Sequence, residues 1–511
     1  MTERIRFRGI LPRGITTEAL HQAAFWGFII LGILFRLRQY LFARSLWLDE
    51  SMLALNIIKR SPAELLKPLD NAQGASVGFL WLEKLAVHWF GSGEMALRLL
   101  PFLSGIGAVL LFALAARKLL APGVVPIAVG LFSLCSPLIY YSSEAKQYST
   151  DVVVVLILYL MARPLLDAPL KISRVIVFSL VGALVVWFSH PAVFVLAGLG
   201  LSALWVSLRK NDRPALLKIA FVIAMWSCSF LVLYWISLRS LSHNNVLINF
   251  WSDAFPPFPS SPTNVMWYVH SFFGVFAYPG GMRFMGIAAV AAVLGAVEVF
   301  RMHQGRFLLF VLPTAVTLVA SWLHLYPFQG RLLLFIVPSA IMLIAAGLGS
   351  IHKKTCSTIP LLSALLIGFL FLHPLADATR DFAKPRRVEE IRPVIEYVQE
   401  HAAEGDTLYC YYASRHALEY YSLRGLIRPM SKVIGEVPWD NGKSYYREDL
   451  DRLRGRNRVW VLFSHIWTGA GEDEDLLFLD YLDTMGKRLD SSRASGASVY
   501  LYDLSTPKGK S

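Results

Sequence analysis

The sequence is poor in charge and in cysteine. Only 17% of its 511 residues are Asp, Glu, Lys or Arg and 55% are hydrophobic, a balance that excludes a soluble globular protein. The four cysteines, two of them inside apolar runs, form neither a disulfide framework nor a metal-ligand motif. No Asn-x-Ser/Thr sequence occurs, which favours a bacterial inner membrane over the endoplasmic reticulum.

Acidic residues are scarce mainly in the apolar part of the chain. Residues 1–376 hold 29 Lys and Arg against 14 Asp and Glu, whereas residues 377–511 hold 20 against 22. The basic excess therefore lies where cationic loops meet anionic lipid. It indicates membrane lipids, and not nucleic acid, as partners.

Apolar runs that could cross a bilayer recur from residue 21 to residue 376. A spanning helix needs about 20 apolar residues, and the qualifying segments are 21–43, 96–116, 122–141, 149–163, 173–189, 191–208, 215–237, 284–300, 306–323, 331–349 and 358–376. We therefore expect about 11 transmembrane helices. Basic loops on one side, beginning with Arg4, Arg6, Arg8 and Arg13, place the amino terminus in the cytoplasm and residues 44–95 and 377–511 outside it.

The chain changes character after residue 376. An amphipathic helix in "RVEEIRPVIEYVQEHAAEG", a strand from Thr407 to Ala413, strands in "RVWVLFS" and "SVYLYDL" and an acidic helical stretch between these two alternate along it. This alternation predicts a small α/β domain. We thus expect a polytopic α-helical membrane domain, 1–376, which includes the first loop 44–95, and an extracytoplasmic α/β domain, 377–511.

Two adjacent acids follow the first apolar span in "RSLWLDES". Asp49 and Glu50 adjoin Leu46, Trp47 and Leu48. A hydrated helix end would explain them, because a carboxylate at the membrane boundary costs little when solvated. Desolvation beside the aromatic ring would instead raise a carboxylate's affinity for protons and make it useful as a general base.

A second polar stretch interrupts an apolar run in "LIYYSSEAKQYSTDVVVV". At helical spacing Glu144, Tyr148 and Asp151 would share one face, with Lys146 as a cation near the lipid headgroups. A capped turn, with Asp151 near the amino end of the next helix, explains the same pattern.

A third stretch, "HLYPFQGRLLLFIVP", opens an apolar span with Arg331 directly after a Pro and Gly turn. An arginine that reaches toward the interface explains it, and so does a bidentate contact with phosphate. His190 in "WFSHPAVF" lies at an outer helix end, where a hydrogen-bonded cap and a ligand contact both fit.

In order, "RSLWLDES", "GEMALRLLPFLSG", "YYSSEAKQYSTD" and "YPFQGRLLLFIVP" resemble bacterial membrane glycosyltransferases of the GT-C class, in the branch related to protein O-mannosyltransferases and aminoarabinose lipid A transferases. The resemblance covers roughly residues 20–376. It implies a GT-C-like fold, a polyprenyl phosphate carrying one sugar as donor, and Asp49 as the catalytic carboxylate. One departure is Lys146, where the family pattern has arginine, so a point-charge contact replaces a bidentate one.

The chemistry that follows is direct displacement with inversion. Asp49 takes the proton of the acceptor hydroxyl, Glu50 or Glu144 orients groups around it, and Lys146 and Arg331 hold the donor phosphate. We expect the acceptor to be a glycan, lipid or protein outside the cytoplasm. The supporting residues are Glu144, Tyr148, Asp151, Arg98 and His190.

Neither a cofactor nor an essential metal is expected. The sequence lacks a His-Glu-x-x-His motif, and its first loop lacks Asp-x-Asp. Some GT-C enzymes nevertheless use a divalent ion, which leaves a metal open.

Two other classes of function fit the same composition. A transporter or flippase also carries acids and arginines near the membrane, although here they gather toward one face and no inverted halves are visible. A non-catalytic subunit of envelope polysaccharide assembly would use its soluble domain, with the acids merely solvating helix ends.

Overall fold

A computed structural model gives the structure, which describes residues 16–167, 170–355, 358–436, 445–469 and 472–505. The arginines before residue 16, which support the cytoplasmic amino terminus, lie outside the described residues. The chain forms two compact units. The membrane unit comprises Met1–Phe42, Ser61–Ala86 and Arg98–Pro385, and the α/β unit comprises Ala43–Arg60, Val87–Leu97 and Arg386–Ser511.

Helices make up most of the described chain. In order they are α1 (Thr17–Leu41), α2 (Leu48–Lys59), α3 (Val77–Phe90), α4 (Glu94–Leu97), α5 (Leu99–Leu119), α6 (Val125–Leu134), α7 (Ser136–Tyr141), α8 (Tyr148–Asp167), α9 (Ile172–Val185), α10 (Ala192–Arg209), α11 (Arg213–Leu233), α12 (Arg239–Ser242), α13 (Asn245–Phe250), α14 (Pro262–Ala277), α15 (Met285–Met302), α16 (Gln304–Trp322), α17 (Val337–Thr355), α18 (Pro360–Ala383), α19 (Ile391–His401), α20 (Arg415–Leu423), α21 (Tyr445–Asp451) and α22 (Glu474–Met485). A π-helix, Tyr234–Leu238, joins α11 to α12, and a 3₁₀ helix, Gly330–Ile336, leads into α17.

Within the described residues, 9 helices are long and apolar enough to cross a membrane. They are Glu18–Leu41, Leu99–Leu119, Tyr148–Leu166, Ala192–Arg209, Arg213–Ser242, Met285–Met302, Gln304–Trp322, Gly330–Thr355 and Leu361–Ala383. Two shorter apolar helices, Pro122–Leu134 and Ile172–Val185, cover the two remaining predicted spans. The prediction of a multi-pass α-helical membrane protein is confirmed.

Small residues let helices of the membrane unit approach closely. A β-carbon on Gly295 of α15 would lie 1.8 Å from the carbonyl oxygen of Leu343, and one on Gly347 of α17 would lie 1.8 Å from that of Ala291. Lipid tails are as apolar as the helices, so no hydrophobic effect drives helices together in a membrane, and close van der Waals packing drives their association instead. The α15–α17 pair therefore depends on two glycines.

The residues between the predicted spans 215–237 and 284–300 contain a helix, α14, that the search for spanning segments did not predict. Helix α14 begins after Ser261, whose hydroxyl accepts the Asn264 N–H at 3.2 Å, with Pro262 at the first helical position. A Ser cap followed by Pro is a recognised helix start. The local signal was therefore present in the sequence.

The α/β unit is built on a five-stranded sheet of order β2-β1-β3-β7-β6. Its strands are β1 (Thr407–Cys410), β2 (Ser431–Ile434), β3 (Val459–Ser464), β6 (Lys487–Ala494) and β7 (Ala497–Asp503), and β4 (Thr468–Gly469) pairs separately with β5 (Glu472–Asp473). Strand β1 runs parallel to β2 and β3, whereas β7 is antiparallel to β3 and β6. The predicted α/β appendage is confirmed, including its three predicted strands.

The α/β unit also includes two segments from the first loop of the chain. Helix α2 packs on α20. Glu94, in α4, is buried and pairs with Arg392 at 2.8 Å and with Arg424, while it accepts the hydroxyl of Tyr421 at 3.1 Å. A buried carboxylate with several charged donors is satisfied, whereas loss of one partner is costly. The predicted division kept the whole of 44–95 with the membrane domain, while these contacts group 43–60 and 87–97 with residues 386–511.

Candidate functional site

The adjacent acids of "RSLWLDES" lie at the start of α2, in the α/β unit. Trp47 is the N-cap residue, and Asp49 and Glu50 occupy the first turn. Asp49 is half-buried, and Glu50 is fully buried. The helix macrodipole stabilises negative charge at this position, so the first turn suits an ionised carboxylate.

Side chains that lie far away in the sequence satisfy the backbone N–H groups before these acids. Leu48 N–H donates to Glu389 Oε2 at 3.1 Å, Ser45 N–H donates to Glu390 Oε2 at 3.3 Å, and Leu46 N–H donates to the Tyr421 hydroxyl at 3.1 Å. A helix start leaves such donors without intrahelical partners. Residues of the carboxy-terminal part therefore define where α2 begins.

The second polar stretch forms a buried turn in the membrane unit. Helix α7 ends at Tyr141, α8 begins at Tyr148, and every residue from 142 to 151 is buried. The prediction that Glu144 shares a helix face with Tyr148 and Asp151 is wrong, because Glu144 lies in the turn. The expected helix start is present, with Asp151 in the first turn of α8.

Lys146 and Gln147 of this turn contact the loop that leads to α3. The Lys146 ammonium donates to Gln73 Oε1 at 2.6 Å, and Gln147 Nε2 donates to the Gly74 carbonyl at 3.2 Å. The same loop is held further along, because Ser76 Oγ donates to the Phe188 carbonyl at 2.8 Å. The ammonium is therefore buried and held by Gln73, a residue that no pattern in the sequence marks as part of a site.

Arg331 belongs to an aromatic cluster. Its guanidinium carbon lies 5.8 Å from the ring centroid of Tyr148, whose ring meets that of Tyr141 at 5.1 Å, and the Tyr141 hydroxyl hydrogen-bonds to that of Tyr278. Glu144 and Arg331 both act electrostatically on Tyr141. The structure thus groups Arg331, Tyr148 and Glu144. No signal in the sequence singled out Tyr141 or Tyr278 among 20 tyrosines.

Asp151 lies next to the turn before α10, the turn that also carries His190. Ser189 lies beside the Asp151 carboxyl. Burial lowers the pKa of His190 to about 4, so its ring is neutral at pH 7. Burial also raises the pKa of Tyr326 well above its ordinary value, and the nearby charge of Asp151 adds to this. His190 therefore brings no cation to a phosphate at neutral pH.

Two further charged residues are buried in the membrane unit. Arg98 is the N-cap residue of α5 and is buried. Glu83 in α3 is fully buried, and both its carboxyl oxygens lack a hydrogen-bond partner among the described residues. Burial raises the pKa of Glu83 well above its ordinary value.

The candidate residues thus fall into two sets. Asp49 and Glu50 belong to the α/β unit, and the others belong to the membrane unit, namely Arg98, Glu144, Lys146, Tyr148, Asp151, His190 and Arg331. Over the described ranges, no group of three or more His, Cys, Asp or Glu side chains is arranged to hold a metal ion.

Solved structures of two proteins share this fold, in agreement with the GT-C-like fold that the resemblance implied. The apo crystal structure of ArnT from Cupriavidus metallidurans matches with a TM-score of 0.50 at 13% identity, covering 93% of this chain and 98% of that one. The Archaeoglobus fulgidus oligosaccharyltransferase in complex with zinc and sulfate also matches with a TM-score of 0.50, at 11% identity, covering 93% of this chain and 73% of that one. A structure of ArnT from Cupriavidus metallidurans bound to undecaprenyl phosphate matches with a TM-score of 0.49 at 11% identity, covering 95% of this chain and 97% of that one. No protein-family model and no curated protein matches the sequence.

Proposed function

We propose that this protein is an inverting glycosyltransferase that moves a hexosyl or pentosyl group from a polyprenyl-phosphate donor to an acceptor outside the cytoplasm. Its fold is shared with a protein named as an oligosaccharyltransferase, which supports transfer of sugar. The observation that carries the proposal is the wholly buried segment 142–151, in which Glu144 and Lys146 lie in the turn before α8 and Asp151 lies in the first turn of that helix. Buried charges in an apolar environment are expensive and indicate a functional site.

The donor phosphate is assigned to Lys146 and Arg331. A phosphate leaving group needs cations to stabilise its charge more than it needs an acid to protonate it. Lys146 supplies a compact positive charge, and its hydrogen bond to Gln73 fixes the position of the ammonium. Arg331 supplies a planar set of donors beside Tyr148. Both cations stabilise the negative charge that the phosphate gains as its bond to the sugar breaks.

The acceptor is activated by Asp49. An acceptor hydroxyl oxygen attacks the anomeric carbon, the bond from that carbon to the phosphate oxygen breaks, and polyprenyl phosphate leaves with the electron pair. The hydroxyl proton passes to the Asp49 carboxylate, and the attack from the opposite side inverts the anomeric centre. Glu50 or Glu144 orients groups around Asp49, while Arg98, Asp151 and His190 support the site.

The membrane topology fits a lipid-linked donor. The positive-inside rule puts the amino terminus in the cytoplasm of a bacterial inner membrane and the α/β unit on the other side. Nucleotide sugars are absent there, so the sugar has to arrive on a lipid that crosses the bilayer. We expect transfer to need no divalent ion, which addition of EDTA to the assay tests.

The test is transfer of radiolabelled sugar from a polyprenyl-phosphate donor by the purified full-length protein in detergent. Asp49→Asn should lower kcat about 10²- to 10⁴-fold, the usual contribution of a general base. Glu404→Gln is the matched control, since this exposed carboxylate of the α/β unit lies outside the proposed site. A transporter or an assembly subunit would transfer no sugar from any donor, and full activity in Asp49→Asn would refute the assigned base.

A further inference from the structure

The carboxylate of Glu389 uses both of its oxygens within the α/β unit. Oε2 accepts the Leu48 N–H at 3.1 Å, and Oε1 accepts from Nδ1 of His465 at 2.6 Å. The side chain is 7% exposed. Glu389 thus bridges the first helical residue of α2, directly before Asp49, and the residue that follows β3.

His465 is itself held in an unusual position. Its φ of +52° lies in the left-handed region, which a non-glycine residue enters at a cost. In this conformation its ring centroid lies 6.4 Å from that of Trp47 and 5.1 Å from that of Trp467, which it meets edge-on at 82°. The turn therefore fixes a ring that contacts the N-cap residue of α2.

Glu390 and Arg392 secure the chain just before this point. The Ser45 hydroxyl donates to Glu390 Oε2 at 3.0 Å, and Arg392 Nη2 donates to the Ala43 carbonyl at 3.1 Å. Four residues of the stretch 43–48 thus form hydrogen bonds with residues beyond 386, namely Ala43, Ser45, Leu46 and Leu48. Charge-assisted bonds of this kind are about twice as strong as neutral ones.

We propose that Glu389, oriented by His465, is a positioning residue for Asp49, and that the α/β unit holds α2, the helix that carries Asp49, in place. This inference rests on the proposed function for its catalytic meaning. A carboxylate base acts only when its oxygen lies within hydrogen-bond reach of the acceptor, and a displacement of about 1 Å costs on the order of 100-fold in rate. Glu389 makes no contact with substrate in this role.

The experiment compares Glu389→Ala, Glu389→Gln and His465→Phe with wild type in the full-length protein. Glutamine keeps an oxygen that can accept the Leu48 N–H, so Glu389→Gln should retain much of the function lost in Glu389→Ala. We expect Glu389→Ala to lower kcat about 10- to 100-fold with the KM for donor changed less than about threefold. His465→Phe keeps a ring beside Trp47 but loses the hydrogen bond to Glu389, so its kcat should lie between those of Glu389→Gln and Glu389→Ala. Glu404→Ala serves as the exposed-carboxylate control.

Hydrogen exchange provides the second measurement and needs no activity. Backbone amides of residues 45–51 should exchange about tenfold faster in Glu389→Ala than in wild type, while the peptide that covers β3 stays protected. Unchanged exchange at 45–51 overturns the positioning role whatever the enzyme does. Faster exchange in a protein that transfers no sugar even as wild type would overturn the proposed function and leave the structural role of Glu389 in place.

Discussion

The guanidinium of Arg331 lies over the ring of Tyr148, with its central carbon 5.8 Å from the ring centroid. The two residues are separated by about half of the membrane unit in sequence, yet the start of α8 and the 3₁₀ helix before α17 bring them together. The aromatic face attracts the cation and limits the directions in which its donors point. Arg331 is thereby oriented before any ligand binds.

Substitutions of Arg331 and Tyr148 should separate charge from geometry. Arg331→Lys keeps the charge but loses the planar donor set, so the KM for donor should rise about tenfold, and Arg331→Ala should cost about 10²-fold or more in kcat/KM. Tyr148→Phe keeps the ring and should stay within about threefold of wild type. Steady-state transfer kinetics at varied donor concentration measure these effects. Equal activity of the lysine and arginine proteins would contradict a bidentate contact.

Gln73 should matter through Lys146. Lys146→Met removes the cation and should raise the KM for donor about 10- to 100-fold. Gln73→Glu adds a carboxylate that neutralises the ammonium and repels phosphate, whereas Gln73→Leu only removes a neutral acceptor. We therefore expect Gln73→Glu to bind donor more weakly than Gln73→Leu. Kinetics or direct donor binding would show the order, and the reverse order would remove Lys146 from the phosphate site.

His190 should make the protein less stable in acid. Its pKa is about 4 in the folded state against an ordinary 6.5, so the unfolded chain binds the proton first as the pH falls. Stability is then lost between pH 6.5 and 4, with a loss of about 2 kcal/mol at pH 5. His190→Gln lacks this loss, so its thermal midpoint in detergent should fall less between pH 7 and 5 than that of wild type. Parallel falls would argue against a ring that is neutral in the folded protein at pH 5.

Glu83 should have the opposite dependence. Its pKa is raised above the ordinary 4.5, so the folded protein retains a proton that the unfolded chain releases, and stability is lost as the pH rises above 4.5. Glu83→Gln mimics the protonated side chain without this loss. Its thermal midpoint should exceed that of wild type at pH 8 and approach it at pH 5. Glu18→Gln, at an exposed carboxylate of the membrane unit, should change neither value.

The apolar helices could be predicted because their signal is local. A run of about 20 apolar residues specifies a span by itself, and all eleven predicted segments coincide with apolar helices. Strand β6 was not predicted because it lacks such a local signal. Its residues, among them Lys487, Arg488 and Arg493, are mostly polar and lie at the edge of the sheet. Only its pairing with β7 makes it a strand.

The surroundings of the candidate site depend on contacts that no local pattern encodes. Lys146 was identified from its charge in an apolar run, but Gln73 is an ordinary glutamine until the fold places it 2.6 Å away. Glu389 likewise looks like one acid of an amphipathic segment, although its partner Leu48 lies at the other end of the chain. Residue type indicated the charges, and tertiary structure supplied their partners.

The α/β unit is discontinuous, and this has a consequence for inheritance. Glu94, contributed by the first loop, is a counter-ion for Arg392 and Arg424 of the carboxy-terminal stretch. A recombination event that replaced residues from 386 onward with those of another lineage would strand this acid in an apolar setting without its cations. The terminal stretch therefore cannot be exchanged by itself. Chimaeric proteins should fold only when Ala43–Arg60 and Val87–Leu97 are exchanged together with it.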